Sequence, residues 1–288
     1  MTTTSTPLNA AVAGTFTLGG DLTVNRLGFG AMRLTGKGIW GEPKDANEAK
    51  AVLRRAVELG VNFIDTADAY GPDVSERLIG EALYPYPQGL VIATKGGLLR
   101  GGPDNWYPNG HPQHLREAID ASLKRLRLER IDLYQFHRPD PDVPFEESVG
   151  TLADLQKEGK IRHVGLSNVD VEQLNKARTI VPIVSVQNRY NTTDRGSEGV
   201  LNECTREGIG FIPWAPIGGG PETREGGALD QIAKRHNATQ QQIALAWLLQ
   251  RSPVMLPIPG TSSVAHLEEN IAAAAINLSN EDVTSLDS

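Results

Sequence analysis

Polar side chains stand at the ends of five short apolar runs in this chain, where a β-strand would stop. They are Asp65, Lys95, His137, Ser167, Asn168 and Gln187. A carboxylate, an ammonium group and an imidazole in one place can hold and move a proton, and a Lys amine can also act as a nucleophile. Each residue taken alone equally fits a solvated strand end, so the chemistry depends on whether the fold brings them together.

Amphipathic stretches alternate with these runs along the chain. Val52 and Ala56 share one helix face before Gly60, residues 61–64 are a β-branched run, and the same order of features recurs up to residues 254–256. With residues 27–30 at the front, eight strand candidates result. The alternation favours a parallel sheet, and eight such units predict a closed (β/α)8 barrel. Because the carboxyl ends of barrel strands carry the chemistry, the polar side chains would meet at one mouth.

A short hairpin is predicted ahead of the first barrel strand. Residues 16–18 and 22–24 flank the turn sequence Gly19-Gly20-Asp21. This hairpin would plug the amino-terminal mouth of the barrel. We expect residues 1–15 to be a flexible tail and residues 16–288 to form one α/β domain, since no linker or composition break divides the chain.

The composition excludes several classes of partner. The net charge of −7 and the isoelectric point near 5.4 argue against nucleic acid and against an acidic membrane surface. No run approaches the about 18 apolar residues of a membrane span, and the first residues lack the features of a secretory signal. The single cysteine, Cys204, suits a reducing compartment. We therefore expect a cytoplasmic globular protein.

Two motifs match known patterns only in their letters. Residues 36–41 read G-x-G-x-x-G, but no predicted strand precedes them and no helix opens on the last Gly, so they predict a loop. His111 and His114 could bind a metal only with further ligands, and no H-E-x-x-H or C-x-x-C motif supports such a site. Neither motif indicates a cofactor or metal.

The stretch 63–71, together with Lys95 and His137, resembles the catalytic tetrad of the aldo-keto reductase family. The resemblance spans most of the chain, with short bacterial members of the pyridoxal reductase-like subgroup as the nearest pattern. Its segments are residues 28–32, 63–71, 94–96, 136–139, 165–168, 186–190, 258–262 and 269–270. The family implies carbonyl reduction by direct hydride transfer from a nicotinamide, without a metal.

The resemblance assigns the tetrad roles that are chemically coherent. Tyr70 would be the general acid, and an adjacent Lys95 would favour the phenolate and lower the pKa of a phenol, which is ordinarily about 10. Asp65 would orient the Lys95 ammonium group. His137 would donate a hydrogen bond to the carbonyl oxygen and stabilise its developing charge.

The same resemblance assigns the cofactor contacts. The expected residues are Ser167, Asn168 and Gln187 at the carboxamide, Trp214 on the nicotinamide face, Ala215, Pro216, Ile217 and Gly218 at the pyrophosphate, Gly260, Thr261, Ser262, Ser263 and His266 at the 2′-phosphate, and Glu269 and Asn270 at the adenine. Gly260 and His266 occupy positions that often hold Lys and Arg. We expect NADPH rather than NADH.

The substrate pocket is expected to use residues of the first and third loops. They are Met32, Ile39, Trp40, Trp106 and Tyr107, although loop aromatics can equally pack on the barrel. A small-molecule carbonyl is the expected partner, with pyridoxal as a specific hypothesis. Larger family members extend the carboxyl-terminal end over the pocket, so we expect an open mouth here. The chain is expected to be a monomer or a small homo-oligomer.

Two other functions stay open at this level. One is a nicotinamide-binding accessory subunit that senses redox state without turnover. The other is an aldolase-type barrel in which Lys95 forms a Schiff base, which borohydride would trap with substrate.

Overall fold

The computed structural model describes residues 8–218 and 225–287. Its strands are β1 (Thr15–Leu18), β2 (Leu22–Asn25), β3 (Phe29–Gly30), β4 (Phe63–Asp65), β5 (Val91–Gly96), β6 (Leu98–Gly102), β7 (Asn105–Pro108), β8 (Ile131–Phe136), β9 (Ile161–Ser167), β10 (Ile183–Arg189) and β11 (Gly210–Trp214). Its helices are α1 (Ala46–Glu58), α2 (Val74–Leu83), α3 (Pro112–Leu126), α4 (Phe145–Lys157), α5 (Val171–Arg178), α6 (Glu198–Glu207), α7 (Ala228–His236), α8 (Gln240–Arg251), α9 (Val264–Ala272) and α10 (Asn280–Asp287).

The parallel sheet predicted from the sequence is present. Its order is β11-β10-β9-β8-β5-β4-β3. The eighth position is filled by residues 254–259, which bridge to β11 through Met255 and Phe211. On their other side, the carbonyls of Pro257 and Pro259 accept hydrogen bonds from Gly28 (2.9 Å) and Gly30 (3.4 Å). The eighth segment therefore closes the sheet into a (β/α)8 barrel, although it forms single bridges rather than a regular strand.

The predicted amino-terminal hairpin is also confirmed. Strands β1 and β2 pair in antiparallel fashion, with Leu18 opposite Leu22. Leu18, Leu22 and Val24 are buried in one cluster with inward-facing strand residues such as Phe63 and Leu133. The hairpin therefore plugs the amino-terminal mouth with apolar side chains.

Part of the predicted tail is packed against the barrel. Residues Ala10–Ala13 form a 3-10 helix that begins after Asn9, whose side chain caps it. Ala10 is buried, and its N–H donates to the carbonyl of Leu59 at 2.8 Å. The packed chain thus begins before the expected boundary at residue 16. Residues 1–7 lie outside the described residues.

The helices follow from capping and apolar stripes. Asp45 accepts hydrogen bonds from the N–H groups of Asn47 and Glu48 and so begins α1. Val52 and Ala56 on that helix are buried against the sheet. At the end of α1, Gly60 has φ +78°, and a Cβ there would lie 2.3 Å from Asn9 Oδ1, so glycine is required.

None of the helices among residues 8–218 and 225–287 has the length and apolar character needed to cross a membrane.

Candidate active site

The carboxyl ends of the barrel strands bring the predicted tetrad together. Asp65 ends β4, Lys95 lies in β5, and His137 directly follows β8. Tyr70 lies in the loop after β4, and its hydroxyl is 3.2 Å from Lys95 Nζ. The aromatic rings of Tyr70 and His137 meet edge to face, with centroids 5.8 Å apart. Four groups able to exchange or share protons thus share one small volume.

Lys95 is fully buried, and its ammonium group has a partner for each of its three N–H bonds. It donates to Asp65 Oδ1 at 2.6 Å, to the Thr66 carbonyl at 2.8 Å and to the Tyr70 hydroxyl at 3.2 Å. Burial lowers the pKa of Lys95, but the charge of Asp65 and the neighbouring Tyr70 outweigh it and raise that pKa above its ordinary value. A nucleophilic amine would need the opposite shift, so this geometry disfavours a Schiff-base role.

Tyr70 departs from the expectation in one respect. Its pKa lies above the ordinary value of a phenol, because burial disfavours the phenolate more than the Lys95 charge favours it. Lys95 does pull the pKa down, as expected, but burial outweighs its contribution. The physical reason is that the ring is only 6% exposed and that the Asp65 carboxylate adds negative charge nearby. At neutral pH Tyr70 keeps its proton and can donate it.

Two amide side chains hold the second oxygen of Asp65. Gln135 Nε2 donates to Asp65 Oδ2 at 3.0 Å, and Gln187 Nε2 donates to the same atom at 2.7 Å. Gln187 was among the predicted residues, whereas Gln135 was not. The signal for Gln135 was available, because it is a polar residue inside the apolar run of β8. Together the amides fix the carboxylate that holds Lys95.

His137 is a neutral imidazole in this site. Burial and the positive charges of Lys95 and Arg138 hold its pKa well below the ordinary value. Its Nδ1 atom is buried without a hydrogen-bond partner among residues 8–218 and 225–287. A neutral ring carries one N–H, which can donate to a substrate oxygen.

Asn168, which lines the cavity described below, is held by hydrogen bonds within the protein. Its backbone is left-handed, with φ +59°. Its Nδ2 donates to the His137 carbonyl (3.1 Å) and to Ser167 Oγ (3.0 Å), and its Oδ1 accepts from Trp214 Nε1 at 3.0 Å. The side chain thus connects the His137 segment to Trp214.

A cavity of about 550 Å³ opens above the tetrad. This is the size of a small-molecule site. The predicted residues that line it are Met32, Asp65, Tyr70, Trp106, His137, Ser167, Asn168, Gln187, Trp214, Ala215, Pro216, Ile217 and Gly260. Sequence reasoning missed Gly30, Arg33, Leu98, Arg138, Ile258 and Pro259, which also line it.

The remaining predicted residues lie outside the cavity lining. Ile39 does not line it, and Trp40 and Tyr107 are 37% and 45% exposed, so the wall expected from five loop residues is formed by Met32 and Trp106. The predicted cofactor residues that do not line the cavity are Gly218, Thr261, Ser262, Ser263, His266, Glu269 and Asn270. Six of them follow Gly260, in the loop before α9 or in α9 itself.

Gly260 has a structural reason to lack a side chain. A Cβ at this position would lie 2.5 Å from the carbonyl oxygen of Gly30. The end of the closing segment and β3 therefore approach each other at backbone distance, and a Lys side chain would not fit at position 260. Any cation for a cofactor phosphate must come from elsewhere.

Comparisons with known proteins agree with this geometry. A family model described as "Aldo/keto reductase family" matches residues 26–288. An uncharacterised oxidoreductase of Schizosaccharomyces pombe is 54% identical over 99% of this chain and 93% of its own length. Pyridoxine 4-dehydrogenase of Escherichia coli is 45% identical over 96% of this chain and 98% of its own.

Solved structures show the same fold. An aldo-keto reductase of Klebsiella pneumoniae in complex with NADPH is 28% identical, with a TM-score of 0.80. The match covers 95% of this chain and 93% of that one.

Proposed function

The chain belongs to the aldo/keto reductase family, and from that premise we propose that it reduces an aldehyde or ketone to an alcohol with a nicotinamide cofactor, NADPH in preference to NADH. One observation supports this most strongly. The Tyr70 hydroxyl lies 3.2 Å from the buried Lys95 ammonium group, at a cavity of about 550 Å³. A weak acid beside a fixed cation is what the protonation of a developing alkoxide needs.

The cavity residues fit a nicotinamide. Gln187 Nε2 donates to Asp65 Oδ2 at 2.7 Å, which leaves the amide oxygen Oε1, on the other branch of the side chain, to accept from a carboxamide N–H. Ser167 adds a hydroxyl to the lining, and Trp214 adds an apolar ring held by Asn168. When bound, the reduced cofactor supplies a hydride to the carbonyl carbon.

The chain's own residues complete the reduction. As negative charge develops on the carbonyl oxygen, the single N–H of His137 donates a hydrogen bond to it, and Tyr70 transfers its proton to the same oxygen. Lys95 then stabilises the Tyr70 phenolate, because its ammonium group already donates to that oxygen. Asp65 balances the Lys95 charge and is itself held by Gln135 and Gln187. Protonation from solvent restores Tyr70.

The preference for NADPH is argued from the loop before α9. Thr261 and Ser262 supply hydroxyls, α9 begins after Ser263, and His266 lies in its first turn. A helix start and hydroxyl groups can bind a phosphate without a Lys or Arg at Gly260. The ratio of kcat/KM for NADPH and NADH tests this, and a clear preference for NADH would contradict it.

Pyridoxal is the second substrate candidate, supported by the 45% identical pyridoxine 4-dehydrogenase. The Trp106 ring in the cavity lining suits a planar ring. The assay compares NADPH oxidation with pyridoxal, benzaldehyde and propanal. If pyridoxal fails while benzaldehyde is reduced, the pyridoxal proposal is withdrawn and carbonyl reduction stands.

Direct transfer is tested with NADPH that carries deuterium at the hydride position. We expect the deuterium on the carbinol carbon of the product alcohol. A borohydride-trapped adduct on Lys95 would instead support the aldolase alternative. Cofactor binding without turnover of any carbonyl would support the accessory-subunit alternative.

A further inference from the structure

We propose that Arg100 determines substrate selectivity as a positioning residue, by fixing Trp106 as a rigid wall beside Tyr70 that selects aryl and heteroaryl carbonyls. The inference rests on the proposed carbonyl reduction. Arg100 lies in β6, does not line the cavity and has no part in the tetrad. No feature of the sequence had singled it out.

The Arg100 guanidinium donates hydrogen bonds to five backbone carbonyls. Arginine has five N–H donors in one plane. In Arg100 they donate to the carbonyls of Ile39 (2.5 Å), Gly38 (2.8 Å), Ala69 (3.2 Å), Gly102 (3.2 Å) and Asn105 (3.4 Å). These carbonyls belong to the first loop, the loop that carries Tyr70, and the β6–β7 hairpin. One side chain therefore joins the segments that surround the substrate end of the cavity.

Trp106 is stacked on this guanidinium. Arg100 Cζ lies 3.5 Å from the centroid of the Trp106 ring, and the ring of Trp40 lies 5.6 Å away in the same cluster. The Trp106 ring in turn meets Tyr70 edge to face, with centroids 6.4 Å apart and an interplanar angle of 84°. A cation–π contact and an aromatic pair thus fix one ring between the arginine and the catalytic acid.

The hydrogen bonds of Arg100 also hold a residue of the first loop in an unfavourable backbone conformation. Ile39 has φ +55°, and a β-branched residue rarely adopts that conformation. Its carbonyl accepts the 2.5 Å hydrogen bond from Arg100. Since strained backbone persists only where surrounding contacts hold it, loss of Arg100 would free the loop that packs beside Trp106.

Selectivity follows from this arrangement. A substrate ring would contact Trp106 while its carbonyl approaches Tyr70 and His137, so the position of Trp106 sets how well the ring is bound. A small aliphatic aldehyde reaches the same acid without needing the wall. The Trp106 wall should therefore contribute to the reduction of aryl carbonyls and little to that of propanal.

The variant Arg100→Met tests the proposal with benzaldehyde and propanal. We expect kcat/KM for benzaldehyde to fall about 10-fold, mainly through KM, and that for propanal to change by less than about 3-fold. The ratio of the two values does not depend on how much of the variant is folded. Arg100→Lys should behave like Arg100→Met, because an ammonium group cannot replace the planar five-donor fork.

Arg195 provides a matched control. Its guanidinium also lies over a tryptophan ring, 5.0 Å from the centroid of Trp247, and donates to the Asp287 carbonyl at 3.1 Å. It holds α10, away from the cavity. Arg195→Met should lower stability and leave the benzaldehyde-to-propanal ratio unchanged.

A double variant decides whether Arg100 acts through Trp106. In the Trp106→Leu background, Arg100→Met should cause no further change in the ratio, because the wall is already gone. Equal losses for both aldehydes, or an undiminished effect of Arg100→Met in that background, would overturn the proposal. If the unaltered protein reduces neither aldehyde, the proposed function fails instead, which is a different result.

Discussion

The amino-terminal (lower) and carboxyl-terminal (upper) ends of the barrel are built from the same strands, but the lower end is apolar inside and the upper end is charged. Along the inward face, Phe63 is followed by Asp65 in β4, and Ala93 by Lys95 in β5. Because side chains on one face of a strand recur every two residues, the inward face changes from apolar to charged between two successive inward-facing residues. The lower end packs against the apolar β1–β2 hairpin, and the upper end holds a buried ion pair.

The two ends also differ in whether their polar side chains have partners or solvent to stabilise them. At the lower end, the Asp21 carboxylate lies 2.6 Å from His163 Nε2 and 3.0 Å from Arg162 Nη2. It is half-exposed, so solvent stabilises it as well. At the upper end, Asp68 Oδ1, Tyr134 Oη and His137 Nδ1 are buried without partners among residues 8–218 and 225–287. An unpaired buried polar atom destabilises a fold, so the unpaired Nδ1 of His137, beside Tyr70, is a cost that stability does not explain.

The largest expected effect is at the upper ion pair. Lys95→Met should lower kcat by about 10²- to 10⁴-fold, since Tyr70 loses the cation that stabilises its phenolate. It should also lower the free energy of unfolding by about 3–5 kcal/mol, because Asp65 is left as a buried charge. Turnover assays and urea unfolding measure the two effects.

A matched control exists for this variant. Lys160 Nζ lies 2.6 Å from Asp120 Oδ1, the same distance as in the Lys95–Asp65 pair, but both side chains are partly exposed. Lys160→Met should cost about 0–1 kcal/mol and leave kcat unchanged. Similar stability losses for the two variants would mean that burial does not distinguish the pairs.

The lower end should respond in stability alone. Leu18→Ala removes a fully buried side chain of the plug and should lower the free energy of unfolding by about 2–5 kcal/mol. The kcat of the folded variant should remain within about 2-fold of the parent value, since the plug touches no tetrad residue. A large fall in kcat at temperatures where the variant is folded would show that the two ends are coupled.

A smaller effect is expected from Asp68. Burial, with a further contribution from Glu76, raises the pKa of this carboxyl well above its ordinary value, while Arg125 opposes the shift. Above the unfolded pKa of about 3.9, the unfolded chain releases a proton that folded Asp68 keeps, so this residue destabilises the fold as pH rises toward its folded pKa. Asp68→Asn lacks this penalty.

The stability gain of Asp68→Asn over the parent should therefore increase between about pH 5 and pH 8. Urea unfolding of both proteins at the two pH values measures the difference. A gain that stays constant or shrinks as pH rises would show that Asp68 is ionised in the folded protein.

The barrel and the polar residues at its strand ends were predictable because their signals are local, whereas Tyr70 was identified through the family resemblance. A run of apolar residues and the polar residue that ends it, as at Asp65 or Lys95, lie next to each other in the sequence. Arg100 had no such signal, since its partners at Gly38 and Ala69 are distant in the chain. The exposed position of Trp40 was missed for the same reason, because only the folded loops show which ring faces the cavity.

The eighth strand and the Tyr70 pKa show a second limit. Residues 254–259 close the barrel by single bridges, because prolines at 257 and 259 cannot donate to a ladder. For Tyr70, the Lys95 charge was visible in the sequence pattern, but the burial that outweighs it was not. Both outcomes depend on packing, which residue type and spacing do not specify.

The central claim is that Tyr70 is the proton donor for carbonyl reduction, and Tyr70→Phe tests it most directly. This change removes one hydroxyl and keeps the ring that packs between Trp106 and His137. We expect kcat for benzaldehyde to fall by about 10²- to 10⁴-fold, while the Kd for NADPH, measured by titration, stays within about 3-fold of the parent value. Retention of most of the kcat by Tyr70→Phe, with NADPH still bound, would contradict the account.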